Sequence, residues 1–440
     1  MKRTFAITFF LLIVSLPFFL MLFSSNKTMQ DSSKNKLLII SPHRREVKLE
    51  YSRAFTDWLA TNDKPYIEIV WIDVGGTSKM LKDLESRFQT SDFPDVDIMF
   101  GGGVDPFIRS QDAGWLQTAE IKRHILAQIP ADCAGFPVYD PEMYWFGVAL
   151  SGFGIVYNNP LIKQLGLTTP KSWEDLTQPE YFTWVSSGDP RSSGSVHMCY
   201  EIILQAYGYE KGWEIITKLC ANIRKFGEGG GEGPREVEHG EVVAGLAIDQ
   251  FAETAIKAVG GNALGFVLPD NATVVNPDAI AILKNAPNKD NAELFLNFAL
   301  SFEGQQILCQ PIGQNGQMNN LYRMPVNKEI YTKSWAPKSN PYKFKSNFKY
   351  DTKTASKRWS ILNALMGTTL IDPHNELQKA WKTIIEEDFP EAKLKTLYSP
   401  PISEKEMLEI AESWSDTRFK LETTTKWATD AHRKYKNLSN

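Results

Sequence analysis

Two α/β units followed by a strand-free helical stretch form the fold class that this 440-residue chain predicts. Three observations carry the prediction. Strand and helix patterns alternate from Lys36 to Gly103 with glycine-marked turns, the pattern of a parallel sheet covered by helices. A second set of extended runs begins near Tyr144. After about residue 345 only helical spacing remains.

In chain order, Lys36-Leu-Leu-Ile-Ile-Ser41 is a short apolar run that opens a sheet. Val47, Tyr51, Ala54, Phe55, Trp58 and Leu59 recur at helical spacing. Tyr66 to Ile72 alternates as a strand, Thr77 to Phe88 reads as a helix, and Val96 to Phe100 is a third strand. Tyr144 to Tyr157 gives two extended runs split at Ser151-Gly152, a crossing between the units. A helix starts at Trp173, and Thr183 to Ser186 and Val242 to Ile248 read as strands. Asn262 to Leu268 and Ala279 to Leu283 are strands able to return to the first unit, and residues 291–309 form an amphipathic helix.

In parallel sheets, ligands collect beyond the carboxyl ends of the strands. Ser41-Pro42-His43, Gly75-Gly76-Thr77-Ser78 and Gly101-Gly102-Gly103 fall at such ends in the first unit, and Asp189-Pro-Arg-Ser-Ser-Gly-Ser195 in the second. Glycines let a backbone approach a ligand, Ser and Thr add hydroxyl donors, and a helix N-terminus adds unpaired N–H groups. Arg191 adds a two-pronged donor for an oxyanion. Each loop taken alone also reads as a helix cap, and Arg191 as half of a surface ion pair. His43 and His197, beside these loops, read as capping or core residues. Gly227 to Pro234 lacks phosphate-loop spacing and reads as a mobile loop at a cleft rim, with two glutamates that repel anions.

Composition narrows the function further. With 48 Lys+Arg against 52 Asp+Glu, a net charge of −4 and 42% hydrophobic residues, the chain is neither a bulk-charge nucleic-acid binder nor disordered. Cys133, Cys199, Cys220 and Cys309 form no CxxC pair, which leaves either up to two disulfides or buried thiols. No metal-ligand spacing, cofactor fingerprint, Walker loop or GxSxG stands out, so neither metal, cofactor nor catalysis is expected. The best enzymatic set, Ser195 with His197 or Asp189, is poorly placed because residues two apart on a helix diverge. Lys2 and Arg3 precede an apolar run from Phe5 to Phe23, the pattern of an export signal. That run approaches bilayer length, and Leu22 or Phe23 at the −3 position suits cleavage poorly. A cleaved signal and a retained anchor are both compatible with it.

A set of motifs then carries a resemblance. Ser151-Gly-Phe-Gly-Ile-Val-Tyr-Asn158, Trp173-Glu-Asp-Leu176, the loop from Asp189 to Ser195, Gly240 to Asp249 and Pro277 to Lys284 resemble the extracellular solute-binding proteins of ABC importers. So does the helix running from Ala286 to Gln305. The likeness covers about Leu37 to Tyr322 and is nearest the branch of ferric-iron, polyamine and phosphorylated-solute binders. It implies a two-lobed, periplasmic-binding-protein-like fold of the second type, with lobe 1 at 37–150 and 266–340 and lobe 2 at 151–265. A signal or anchor at 1–25, a linker at 26–36 and a helical extension at 341–440 complete that division. The function it implies is capture of a small polar solute on the far side of the membrane and delivery to a permease, without bond chemistry. The contacts it implies are Ser41, Gly75, Gly76, Thr77, Ser78, Gly102 and Gly103 in lobe 1, and Ser151 between the lobes. In lobe 2 they are Arg191, Ser192, Ser193, Ser195 and Asp249. Iron-binding relatives carry a Tyr-Tyr pair where this chain has Gln250-Phe251, so the phenolate ligands of a hard ferric ion are missing. An organic anion is therefore the expected solute, with ferric ion and an exported hydrolase or transferase as the alternatives.

Overall fold

The structure, a computed structural model, describes residues 35–440, so the expected signal or anchor lies outside the described residues, as does nearly all of the linker. Its centre is an 11-stranded mixed sheet. In the first half, β1 (Lys36–Ile40) pairs in parallel with β2 (Glu68–Ile72) and with β3 (Ile98–Phe100). Between them run α1 (Arg45–Thr61) and α2 (Thr77–Thr90), and α3 (Asp105–Asp112) follows β3. The βα alternation read from the pattern is thus present, with β2 and β3 each two residues shorter at their starts and β1 one residue shorter at its end.

The middle of the chain differs from its pattern in one respect. Ser151-Gly152 does not split two strands: β4 runs unbroken from Phe146 to Asn158. Twelve of its 13 residues are buried, and a strand buried on both faces reads as a continuous apolar run. The N-terminal part of β4 pairs with β9 (Val275–Leu283), and its C-terminal part with β7 (Ala244–Ile248) and β8 (Leu264–Val267). One strand therefore belongs to both halves of the sheet. Of the two strands expected to return, only β9 does so, antiparallel to β3; β8 stays with the second half. That half is completed by β5 (Val185–Gly188) and β6 (Ile223–Gly227), both parallel to their neighbours. β6 carries no alternation that its sequence could announce, since Arg224 and Lys225 are both exposed.

The second-half helices include α4 (Gly194–Tyr207), α5 (Tyr209–Asn222), α6 (Glu232–Glu238) and α7 (Asp249–Val259), besides a short helix at Asn159–Leu165. The expected helix at 291–309 breaks at Ser301 into α8 (Lys289–Leu300) and a short helix, Phe302–Gln306. The Ser301 hydroxyl accepts from the Gly304 N–H at 3.2 Å and caps the second piece. The chain ends in helices, chief among them α9 (Thr352–Met366), α10 (His374–Glu386) and α11 (Thr417–Leu438). Leu362, Leu365, Trp381 and Tyr435 from these helices share one buried cluster with Met80 and Leu84 of α2, Phe107 of α3 and Ile202 and Trp213 of the second half. All four cysteines are free thiols, so the disulfide option falls away; Cys133, Cys199 and Cys220 are buried in apolar surroundings. No helix among the described residues is long and apolar enough to cross a membrane.

Candidate functional site

Helix starts from both halves of the sheet converge on one cavity of about 770 Å³. The loops before α1 and α2 form one wall, and those before α4 and α7 the other. The halves touch at this point. A Cβ placed on Gly76 would lie 1.6 Å from the Ser192 carbonyl oxygen, and one on Gly194 would meet the Thr77 side chain at 2.7 Å. Only glycine permits these two approaches. Across the mouth, the Arg44 guanidinium sits 3.8 Å over the ring of Phe251, an attraction between cation and aromatic face that joins the two walls.

Of the residues expected to meet a ligand, Gly75, Gly76, Thr77, Gly102, Gly103, Ser151, Ser192, Ser193 and Ser195 all line this cavity. Four do not. Ser41 is fully buried, with its hydroxyl 3.0 Å from Nδ1 of His43, which it helps to orient. The Ser78 hydroxyl faces away from the cavity and accepts from the Trp359 indole and the Asn363 amide. Asp249 accepts from the Gly152 N–H at 2.8 Å and so ties α7 to the crossing strand. Arg191 is the largest departure. Its guanidinium is held by Asp189 and by Asp372 of the C-terminal layer, 2.8 Å from each, outside the cavity wall. The cation serves an ion pair, the second of the two readings that the sequence leaves open for Arg191.

The floor is built from residues that the sequence reading passed over. The Asp278 carboxylate accepts from the Gly102 N–H at 2.7 Å, from Nε2 of His43 at 2.7 Å and from the Arg323 guanidinium. Gly102 thus approaches an internal carboxylate, and the glycine loop is already occupied by an anion of the protein itself. Burial would raise the pKa of Asp278, but Arg323 and His43 outweigh it and hold the carboxyl well below its usual range. Burial lowers that of His43, against the opposing pull of Asp278. Asn276 also lines the floor, 1% exposed, and neither its amide nitrogen nor its amide oxygen has a hydrogen-bond partner. An unpaired buried amide is costly, so this side chain is poised for a polar ligand. Asn276 and Asp278 sit on β9 around Pro277; Asp278 lies in the stretch from Pro277 to Lys284 valued in the sequence only as a motif, whereas Asn276 and Arg323 had no signal at all.

The rim is mixed in charge. Arg44 and Lys79 line it and form no ion pair among the described residues, whereas Arg235 is held by Glu232 at 2.6 Å. Glu46, Glu228 and Glu238 also line it. The glycine-rich segment is packed rather than loose: a Cβ on Gly188 would lie 2.4 Å from the Gly229 carbonyl oxygen. His197 is fully buried, with Nδ1 2.7 Å from Asn363 Oδ1, and the Ser195 hydroxyl faces that of Ser193 at 3.2 Å. Ser195 and His197 thus form no nucleophile–base pair. Gln250 and Phe251 line the cavity where a tyrosine pair would be needed for iron, and no group of three or more His, Cys, Asp and Glu among the described residues is spaced to hold a metal.

Comparison with known proteins agrees with this architecture. The family described as bacterial extracellular solute-binding protein matches residues 108–330, half of the chain. An uncharacterised protein of Haemophilus influenzae is 29% identical over 219 residues, which cover 49% of this chain and 61% of that one. The phosphoglycerate transport regulatory protein PgtC of Salmonella typhimurium is 30% identical over 167 residues, 37% of this chain and 40% of that one. The chain thus matches about half the length of these relatives. Among solved structures, the periplasmic binding protein AfuA of Actinobacillus pleuropneumoniae, described with fructose 6-phosphate bound, aligns with a TM-score of 0.62 at 22% identity, covering 81% of this chain and 99% of that one. That likeness establishes the two-lobed fold. By the match of half its length, the chain belongs to the bacterial extracellular solute-binding proteins.

Proposed function

We propose that this protein captures a small solute bearing an anionic group in the cavity between its two halves and presents it to a membrane permease. The observation that carries the reading is the meeting of the uncapped start of α2 with the start of α4, beside the unpaired cations Arg44 and Lys79. Helix N-termini offer oriented N–H groups and a partial positive charge, and the hydroxyls of Thr77, Ser193 and Ser195 add neutral donors there. The unpartnered Asn276 amide supports a second, uncharged polar contact on the floor. A phosphorylated or carboxylated metabolite has both features, which makes the solutes named for AfuA and PgtC the first to try. The absence of the tyrosine pair counts against ferric ion. Export by residues 1–25, with the apolar run retained as a tether if it is not cleaved, places the site outside the cytoplasm, where such a binder works.

Calorimetry with fructose 6-phosphate, phosphoglycerate, inorganic phosphate, ferric citrate and spermidine tests the reading. The expected result is binding of one of the organic anions, weakened about tenfold or more in Arg44→Ala, the equivalent of one lost charge-assisted hydrogen bond. Tight binding of spermidine or ferric ion, or indifference to Arg44→Ala, overturns it.

A further inference from the structure

A two-lobed binder opens and closes by a hinge, yet here a third layer touches both halves. Toward the second half its contacts are many, and the central ones are buried. Arg358 on α9 donates to Glu201 on α4 at 2.7, 2.9 and 3.1 Å, with both side chains 1% exposed or less. Asp372 holds Arg191, Gln378 donates to the Ile223 carbonyl at 2.7 Å, and the Trp381 indole donates to Asn222 at 2.8 Å. Toward the first half the contacts are fewer and sit at a seam beside the cavity. Arg109 on α3 donates to the Ser360 hydroxyl at 2.7 Å, and Tyr350 donates to Asp105 at 2.6 Å. Asn363 and Trp359 span the seam: Nδ2 of Asn363 donates to Ser78 on α2 at 3.3 Å while its Oδ1 lies 2.7 Å from His197 on α4, and the Trp359 indole donates to Ser78 at 3.2 Å with its ring 3.7 Å from that of His197.

We propose that the C-terminal helices from Thr352 onward are a strap: anchored on the second half, they dock on α2 and α3 of the first half and hold the cavity shut without ligand. Opening the cavity then requires α9 to release α3 and Ser78, so solute entry and exit are gated by the strap as well as by the crossing strands. The asymmetry of the two contact sets decides which side lets go. On the first-half side the strap rests on three side-chain hydrogen bonds, Arg109 to Ser360 and Trp359 and Asn363 to Ser78, and on shared apolar packing, whereas the second-half side holds a buried ion pair whose disruption would leave a charge stranded.

Electron-spin distance measurement on the full chain, with labels at Lys64→Cys and Lys257→Cys in a Cys309→Ser background, tests the strap with no ligand present. Both positions are exposed, Lys64 just past the end of α1 and Lys257 in the last turn of α7, whose starts meet at the Arg44–Phe251 contact. The expected wild-type result is a single short-distance population. Arg109→Ala with Ser360→Ala, and separately Asn363→Ala, should add a longer-distance population. Gln378→Ala, which loses only a second-half contact, should not. Should Asn363→Ala fail to fold, the exposed-seam pair Arg109→Ala and Ser360→Ala carries the test. A wild-type chain that already samples long distances, or seam variants that match wild type, would overturn the proposal. Neither outcome bears on which solute binds.

Discussion

Two carboxylates near the cavity meet the same physical problem with opposite results. Asp278 gains Arg323 and His43 and ionises below its usual range; burial pushes the pKa of Asp249 up to about 7, although the N–H groups of Gly152 and Gln250, the charge of Arg323 and the Ser151 hydroxyl pull the other way. The signs follow from linkage. Asp249 contributes stability that is complete below its ordinary value of 3.8 and is lost as pH rises through about 7. Asp278 contributes stability that is present above the ordinary carboxylate range and is lost as pH falls. Asp249→Asn should therefore flatten the fall in melting temperature between pH 4 and 7, measured by calorimetry; an unchanged slope would show that the group titrates normally. At this scale the sequence was legible where chemistry is local. Nine of the 13 expected contacts line the cavity because loops at strand ends are fixed by the strands they follow. Arg323 was illegible because its partners, His43 and Asp278, lie 280 and 45 residues away along the chain. The partner of Arg191 was illegible because Asp372, which holds it, is 181 residues distant.

Helix starts are the elements on which the site depends, and the contact between α2 and α4 is its narrowest point. Gly76 has φ −77°, a conformation open to any residue, so replacing it tests space and not backbone strain. Gly76→Ala would set a methyl group against the Ser192 carbonyl, a rigid backbone atom. The expected outcome is a wedge: solution scattering should report a larger radius of gyration, while helix content by circular dichroism is unchanged. An unchanged radius would mean that the halves do not close on this contact. Element type was legible wherever periodicity and glycine punctuation agreed, as in α1, α2 and β7. It failed in β6, whose exposed basic pair hides a strand, and at Ser151-Gly152, where glycine marks a crowded crossing instead of a break. A Cβ on Gly152 would lie 2.9 Å from Leu268, so the small residue is there for packing.

For the whole molecule, the two-part α/β body and a strand-free helical ending followed from the order of patterns along the chain, but not that the ending packs into the same core. Apolar periodicity says that a helix buries one face; it does not say against what. The Arg358–Glu201 pair makes the consequence measurable. Arg358→Ala leaves Glu201 charged and fully buried, and should cost about 3–5 kcal/mol in denaturant unfolding. The double variant Arg358→Met with Glu201→Leu should recover most of that loss; a double variant as unstable as the single one would mean that packing, not charge, is at stake. The paired strands β4 and β9 bear on how such a chain becomes native at all. β9 is buried along its whole length between β3 and β4, and its residues come more than a hundred positions after β4 begins. As the chain grows from its N-terminus, the first three strands therefore have no completed core until residue 283 arrives, and the cavity has no strap until α9 follows. Pairings so distant along a chain form slowly. A polypeptide built in this way cannot close its cavity until most of the chain is present, so the binding site is among the last parts of the α/β body to form.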